Sequence, residues 1–327
     1  MESDGGLTLE QSINLDSHDS LCNDQLPKMQ RRMATHLATL PEVQRLSPLC
    51  IRILGSNPGK FTLQGTNTYL LGAGRRRILV DTGEGRPGWI SSLKSTLAEE
   101  QASVEAVLIS HWHRDHTGGI PDLLSLAPEA IIYKHDPEAG QRGIRDGQAF
   151  MADGVTLTAF HTPGHTKDHM VFVLAEEDAM FTADNVLGHG TTVFEDMSAY
   201  LTSLARMRRL FSGKAYPGHG PVLEDGPGSI ASYIEHRQSR IAQVLQTMRA
   251  SHEMRPGGAS QDWSVMDLVR IIYHDVPAEL HPAAGRGISQ ILEKLSRDGL
   301  AIQIDQHHWR LTGDSSCQGR TVALVRY

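Results

Sequence analysis

Between residues 110 and 119 the chain reads Ser-His-Trp-His-Arg-Asp-His-Thr-Gly-Gly. Four candidate metal ligands, His111, His113, Asp115 and His116, fall within six positions, directly after the apolar run 104–109 and just before a glycine pair. A strand anchors the first histidine. The irregular backbone beyond it lets His111 and His113 converge on one ion and turns Asp115 and His116 toward a second. Imidazole and carboxylate donors without thiolate suit zinc, iron(II) or manganese(II). A solvated loop would account for one such histidine. A full His-x-His-x-Asp-His after a strand calls for metal, provided that distant residues complete the coordination.

Residues of the right kind follow. The apolar-alternating run 155–160 leads into Phe160-His-Thr-Pro-Gly-His165-Thr, where a Pro-Gly turn presents His165 at a strand end as a third ligand for the first ion. Met180-Phe-Thr-Ala-Asp184-Asn ends another strand pattern, preceded by the run 170–174 across an acidic turn at 176–178, and Asp184 is the natural bridge between the ions. Ala215-Tyr-Pro-Gly-His219-Gly-Pro sets one more histidine in a Gly/Pro loop, able to close the second site. The expected centre gives His111, His113, His165 and Asp184 to one ion, and Asp115, His116, His219 and the same Asp184 to the other.

At this point the chain resembles the metallo-β-lactamase-fold hydrolases. The resemblance rests on His111-x-His113-x-Asp115-His116, Pro163-Gly164-His165-Thr166, Asp184 and Pro217-Gly218-His219-Gly220, in family order. Gly65-Thr-Asn-Thr-Tyr69 and Val80-Asp-Thr-Gly83 resemble the early strands that lie under the metal site. Within the family the chain is similar to the lactamase-like subfamily with a C-terminal helical extension. There it resembles the fungal thioesterases that work beside non-reducing polyketide synthases lacking a releasing domain. That likeness runs from about residue 33 to about residue 304 and includes Asn57-Pro-Gly-Lys-Phe-Thr-Leu-Gln-Gly65 and Asn185-Val-Leu-Gly-His-Gly-Thr-Thr-Val-Phe-Glu-Asp196.

The resemblance implies an α/β fold, an αββα metallo-β-lactamase sandwich whose metal loops emerge along one edge, with a small winged-helix-like C-terminal extension. It implies two divalent metal ions, Zn2+ first, with Mn2+ or Fe2+ as alternatives. The implied reaction is hydrolysis, by metal-activated hydroxide, of the thioester that joins an aromatic polyketide to an acyl carrier protein of the synthase. Asp115 is the expected catalytic residue, orienting the hydroxide and handing its proton to the leaving group. Asp81 is expected to hydrogen-bond beneath the metals, the alternative being an ordinary turn aspartate. His169 either lines the site or is a satisfied structural histidine. His189 stands where related non-thioesterases of the lactamase-like group often carry glutamate. It either hydrogen-bonds substrate or oxyanion, or is a loop histidine on a glycine turn.

Local patterns permit this architecture without establishing it. They predict strands over 50–54, 68–72, 77–81 and 104–109, a helix over 87–100, and further strands near 131, 155 and 170. A helix over 198–211, N-capped by Ser198, follows. An amphipathic helix over 229–250 is broken by Arg255-Pro-Gly-Gly258, and helices over 265–273 and 287–298 precede short strands at 301–304 and 308–311. The expected division is a flexible acidic arm over 1–32, with a short helix near 7–13, a catalytic domain over 33–228, a connecting helix over 229–258 and the winged-helix-like extension over 259–327.

Bulk properties narrow the partners. The 327 residues carry a net charge of −7, which argues against a general nucleic-acid binder. From residue 262 onward eight acidic residues stand against seven basic ones, so the extension is expected to wall or cover a substrate cleft rather than read DNA. Cys22, Cys50 and Cys317 are odd in number and far apart, which suggests no disulfide framework and a reducing compartment. No apolar run approaches the roughly 20 residues of a membrane span, and no leader pattern is present, so a cytoplasmic, membrane-free protein is expected. Arg206, Arg208 and Arg209 either dock an acidic carrier protein or form a solvated face, and the amphipathic C-terminal helices offer a homodimer surface. Three rival functions remain. A lactamase-like endoribonuclease predicts a basic groove and stacking aromatics, against 6% aromatic residues here. The others are a glyoxalase II-like small-thioester hydrolase and a non-catalytic module with a decayed metal site.

Overall fold

The computed structural model describes residues 37–249 and 262–312. The expected acidic arm with its short helix and the Arg255-Pro-Gly-Gly258 break lie outside the described residues. Strands β1 (Val43–Arg45), β2 (Cys50–Leu54), β3 (Asn67–Leu71) and β4 (Arg76–Val80) pair antiparallel in chain order. From β4 the sheet turns parallel through β5 (Ser103–Leu108), β6 (Ile131–Lys134) and β7 (Arg142–Gly143). Parallel neighbours require crossovers. Helix α1 (Pro87–Glu99) supplies the first, and α2 (Arg114–Thr117) with α3 (Ile120–Leu126) the second. The histidine-rich stretch therefore lies in a crossover just past the C-terminal end of a parallel strand, where open α/β sheets form their sites.

A second sheet carries β8 (Ala149–Ala152), β9 (Val155–His161), β10 (Met170–Leu174) and β11 (Ala179–Ala183) as an antiparallel meander. After α4 (Met197–Met207), β12 (Ala215–Pro217) joins it parallel to β11. Because side chains alternate across a strand, each sheet has two faces to bury. Tyr69, Leu71, Ile78 and Val80 meet Leu157, Ala159, Phe172 and Phe181 between the sheets. The outer face of the first sheet, with Ile53, Leu70, Leu79 and Val107, is covered by Trp89 and Leu93 of α1 and Leu123 of α3. The outer face of the second, with Val171 and Met180, is covered by Tyr200 and Leu204 of α4 and Ile230 of α5 (Gly226–Arg249). This is the αββα sandwich, and β2 and β3, buried at every position, read as near-continuous runs for that reason.

The extension comprises β13 (Trp263–Ser264), α6 (Val265–Ile272), α7 (His281–Arg297), β14 (Ala301–Gln303) and β15 (His308–Leu311), with sheet order β13-β15-β14. Its core residues Leu268, Val269, Ile288, Leu292 and Trp309 share a cluster with Met197 and Leu201 of α4 and with Ile241, Val244 and Met248 of α5. Helices α4 and α5 are thus common to both cores.

Two local expectations need correction. The cap of α4 is Asp196, not Ser198, because its carboxylate accepts from the Ser198 and Ala199 amides at 2.8 and 3.0 Å. Helix α7 begins at His281 rather than 287. Gly285 and Gly287 weaken its first turns locally, but the buried stripe Ile288, Ile291, Leu292 and Leu295 holds the helix through tertiary packing. Among the described residues no helix is long and apolar enough to cross a membrane.

Candidate metal centre

Four strand ends deliver the expected ligands to one edge of the sandwich. The loop after β5 brings His111, His113, Asp115 and His116; that between β9 and β10 brings His165; Asp184 follows β11 and His219 follows β12. The side-chain donor atoms form two adjoining groups, His111, His113, His165 and Asp184 in one and Asp115, His116 and His219 in the other. In the first, His113 Nδ1 lies 2.9 Å from His111 Nε2 and 3.0 Å from His165 Nε2. In the second, Asp115 Oδ2 lies 3.4 Å from His116 Nε2 and 3.2 Å from His219 Nε2. Asp184 faces both groups, with Oδ2 3.6 Å from His165 Nε2 and 3.3 Å from His219 Nε2, and Oδ1 3.4 Å from His116 Nε2.

These separations suit divalent ions. Four donors on a tetrahedron with bonds of about 2.0–2.1 Å stand about 3.3–3.4 Å apart. The donor set, imidazole and carboxylate without thiolate, agrees with that geometry. Among the described residues, His116 Nε2 and Asp184 Oδ1 are buried without a hydrogen bond, an arrangement that native interiors avoid unless an unseen partner is present.

Behind the donors, the chain fixes which nitrogen faces inward. Asp81 Oδ2 stands 2.7 Å from His116 Nδ1 and accepts from the Ser110 hydroxyl at 2.8 Å, while Oδ1 accepts from the Ser110 amide at 2.8 Å. The Ser110 hydroxyl lies 2.9 Å from His111 Nδ1, and the Val193 carbonyl lies 2.7 Å from His165 Nδ1. In the neutral ring, each outer nitrogen that donates to such a partner leaves Nε2 unprotonated toward the centre. The His219 loop is seated from the opposite end of the chain. Asn67 Nδ2 donates to the carbonyls of Pro217 and Gly220 at 2.9 and 2.8 Å, and the Tyr69 hydroxyl donates to Pro217 at 2.7 Å.

Close packing limits what can stand beneath the donors. A Cβ on Gly218 would fall 2.3 Å from Asp184 Oδ1 and 3.0 Å from His116 Cε1, so only glycine fits there. Asp81 and Ala183 hold φ of 61° and 43°, the left-handed region that L-residues resist. Strain of that kind persists where surrounding contacts fix a functional backbone.

Electrostatics divide the histidines. Burial, reinforced by His116, pushes His111 well below the ordinary histidine value, and burial with His165 lowers His113. Burial also opposes charge on His116, but Asp184, Asp81 and Asp115 outweigh it and raise His116 well above that value. His219, likewise against its burial, is raised to about 9 by Asp184 and Asp115. Burial disfavours the Asp115 carboxylate, yet His116 and His219 hold its pKa far below the usual range. Of the two candidate ligand carboxylates Asp115 is the one that faces solvent, with a side chain 24% exposed against 10% for Asp184.

Asp81 lies against the outer nitrogen of His116, on the far side of that ring from the donor groups. His169 stands behind rather than in the cluster: its Nε2 accepts from the Asp184 amide at 3.3 Å and its Nδ1 lies 3.2 Å from the Thr162 hydroxyl. His189 is outside both donor groups, on a turn completed by Gly190 at φ 73°, and among the described residues its ring has no hydrogen bond or ion pair. Arg206 is tied down, paired with Asp146 at 2.9 Å and lying over the Phe160 ring, while Arg208 and Arg209 are exposed. Ser110, Asn67, Tyr69 and Val193 were not singled out by sequence reasoning. All four sit inside the quoted stretches, Ser110 at the start of the histidine-rich loop, Asn67 and Tyr69 in 65–69 and Val193 in 185–196, but nothing local assigns them these contacts.

Fold and cluster together define a hydrolase suited to divalent metal, and the chain belongs to the metallo-beta-lactamase superfamily, whose profile matches residues 61–219. A beta-lactamase associated winged helix domain matches residues 264–309. Among its relatives, the atrochrysone carboxyl ACP thioesterase of Aspergillus chevalieri is 44% identical over 286 residues, covering 86% of this chain and 92% of that one. The lactamase-like protein vrtG of Penicillium aethiopicum is 48% identical over 265 residues, covering 80% and 86%. Among solved structures, a beta-lactamase domain protein from Burkholderia ambifaria matches with a TM-score of 0.69 at 17% identity, covering 84% of this chain and 95% of that one, a likeness of fold alone.

Proposed function

We propose that this chain is a thioesterase that releases an aromatic polyketide from the acyl carrier protein of a non-reducing polyketide synthase, in the cytoplasm, using two divalent ions. The observation that carries the reading is the convergence of seven donor residues in two adjoining groups. The likeness to the atrochrysone carboxyl ACP thioesterase of Aspergillus chevalieri supports the substrate class.

In this reading His111, His113, His165 and Asp184 hold one ion, and Asp115, His116, His219 and Asp184 the other. Zinc suits these donors best, and Mn2+ or Fe2+ accept the same set. When bound, the pair supplies Lewis acidity and brings the pKa of water at the site near neutrality. The chain's own residues do the rest. Asp115, ionised and facing solvent, orients the attacking water and takes its proton as the acyl carbon–oxygen bond forms. It returns that proton to the pantetheine sulfur as the carbon–sulfur bond breaks. Trp112, 52% exposed and edge-on to His113 at 4.5 Å, offers an apolar surface beside the reacting centre for a ring-bearing acyl chain.

The test is acyl release from a loaded carrier protein by the zinc-reconstituted enzyme, with Asp115→Ala and a chelator-stripped sample alongside and a panel of RNAs in parallel. Turnover is expected to fall by roughly a hundredfold or more in the variant and to return to the stripped sample on adding zinc. Intact thioester together with metal-dependent RNA cleavage would overturn the proposal in favour of the endoribonuclease.

A further inference from the structure

Residues 186–196 run over the outside of the sandwich between β11 and α4, and the contacts on their two sides differ in kind. On the inner side, the Val193 carbonyl lies 2.7 Å and the Thr192 hydroxyl 3.2 Å from His165 Nδ1, while the Glu195 amide donates to Gly164 at 2.7 Å. On the outer side, helices of the C-terminal half grip successive residues. The Tyr233 hydroxyl accepts from the Leu187 amide at 3.1 Å and donates to the Gly190 carbonyl at 2.8 Å. One turn further along α5, Arg237 Nη2 donates to the Thr192 carbonyl at 2.7 Å. Its guanidinium also lies 4.8 Å over the Phe194 ring, which itself stacks on Tyr200 at 5.1 Å. From α7, Gln290 donates to the Phe194 carbonyl and Arg297 pairs with Asp196.

We infer that Arg237 is a positioning residue for the metal centre: it fixes the segment whose Val193 carbonyl sets the ring of His165, and through it the helical extension tunes the affinity of one ion. The inference rests on the proposed role of His165 as a ligand. A guanidinium suits the task because its flat face can lie on an aromatic ring while an edge N–H reaches a carbonyl, which an ammonium cannot do at once. Residues that orient a ligand histidine typically change metal affinity by about ten- to a hundredfold when removed.

The experiment measures stepwise zinc release from the full-length protein against a graded chelator, for wild type, Arg237→Ala, Arg237→Lys, Gln290→Ala and the exposed control Glu235→Ala on the same helix. Zinc content per chain and unfolding of the stripped protein are followed in parallel. The expected result is that Arg237→Ala weakens one ion about tenfold and leaves the other at its wild-type affinity, with Arg237→Lys and Gln290→Ala shifted the same way by less and the control unmoved. Should Arg237→Ala fail to fold, the lysine and Gln290 variants carry the same reading. Two ions released as in wild type, or both weakened equally together with a less stable stripped protein, overturn the inference. A wild type that binds no divalent ion overturns the proposed function itself.

Discussion

His116 leans on a carboxylate inside the sandwich, whereas His165 leans on a main-chain carbonyl of a segment outside it. Asp81, the support of His116, is buried at the end of β4 and held by both the amide and the hydroxyl of Ser110 at the end of β5. The support of His165 belongs to the segment between β11 and α4, which is held by the Gly164 carbonyl on one side and by α5 and α7 on the other. Both candidate ion positions are therefore held by strand-end loops, but one of them also depends, through His165, on helices shared with or belonging to a second core. Damage to the sheet edge and damage to the extension should be distinguishable by which ion is lost.

The largest effect is expected where the two positions are not separable. Asp184→Ala removes the carboxylate facing both donor groups, so both ions should leave and turnover should drop by roughly a thousandfold, about 4 kcal/mol in the barrier. Metal analysis and single-turnover release check this together, and a variant that keeps two ions and full rate breaks the shared-centre picture. Next, Asp81→Asn should weaken the ion at His116 by about ten- to a hundredfold, with a smaller effect at His111, which leans on the same carboxylate through the Ser110 hydroxyl, whereas Arg237 variants should weaken only the ion at His165. Loss of the same ion in both would erase the contrast between the two supports.

The smallest effect concerns stability and carries a pH signature. Asp196 caps α4 and pairs with Arg297, and although its burial favours the neutral acid, the Ala199 and Ser198 amides and Arg297 lower its pKa. A carboxyl whose folded pKa is depressed contributes stability above its unfolded value of about 3.9, lost as pH falls through the folded pKa. Asp196→Ala should thus cost about 1 kcal/mol near neutrality, with the difference from wild type shrinking below about pH 4. Urea unfolding at pH 7 and pH 3 measures it, and an equal deficit at both would assign the effect to packing rather than to the charge.

The residues that converge were legible as candidate ligands because metal chemistry restricts residue types and because several sit where a strand pattern meets a Pro-Gly or Gly-rich turn, as at His165 and His219. The longer buried strands were legible to within a residue or two from their apolar runs, as with residues 50–54, while short strands such as β1, β7, β8, β12 and β13 offer too few residues to show a pattern. What stayed hidden depends on separation along the chain. Nothing local marks Asn67 as the holder of a loop around His219, or Arg237 as anything but a polar member of an amphipathic helix. Asp196 was passed over as cap because Ser198 is equally suited by type, and only the observed amide directions choose between them. His169 could be read either way until the backbone of Asp184 was placed beside it.

The bonds from Asn67 and Tyr69 to Pro217 and Gly220 span 150, 153 and 148 residues. Closing so large a loop adds little to the thermodynamic toll, since that grows only with the logarithm of its length, but it weighs on the rate. During synthesis, Asn67, Tyr69 and the cluster from His111 to His116 all leave the ribosome ahead of His219, the cluster by about a hundred residues, so the seat waits for its occupant. The centre can mature only when the chain has returned to its own beginning, so catalytic competence reports completion of the whole sandwich rather than of any one part.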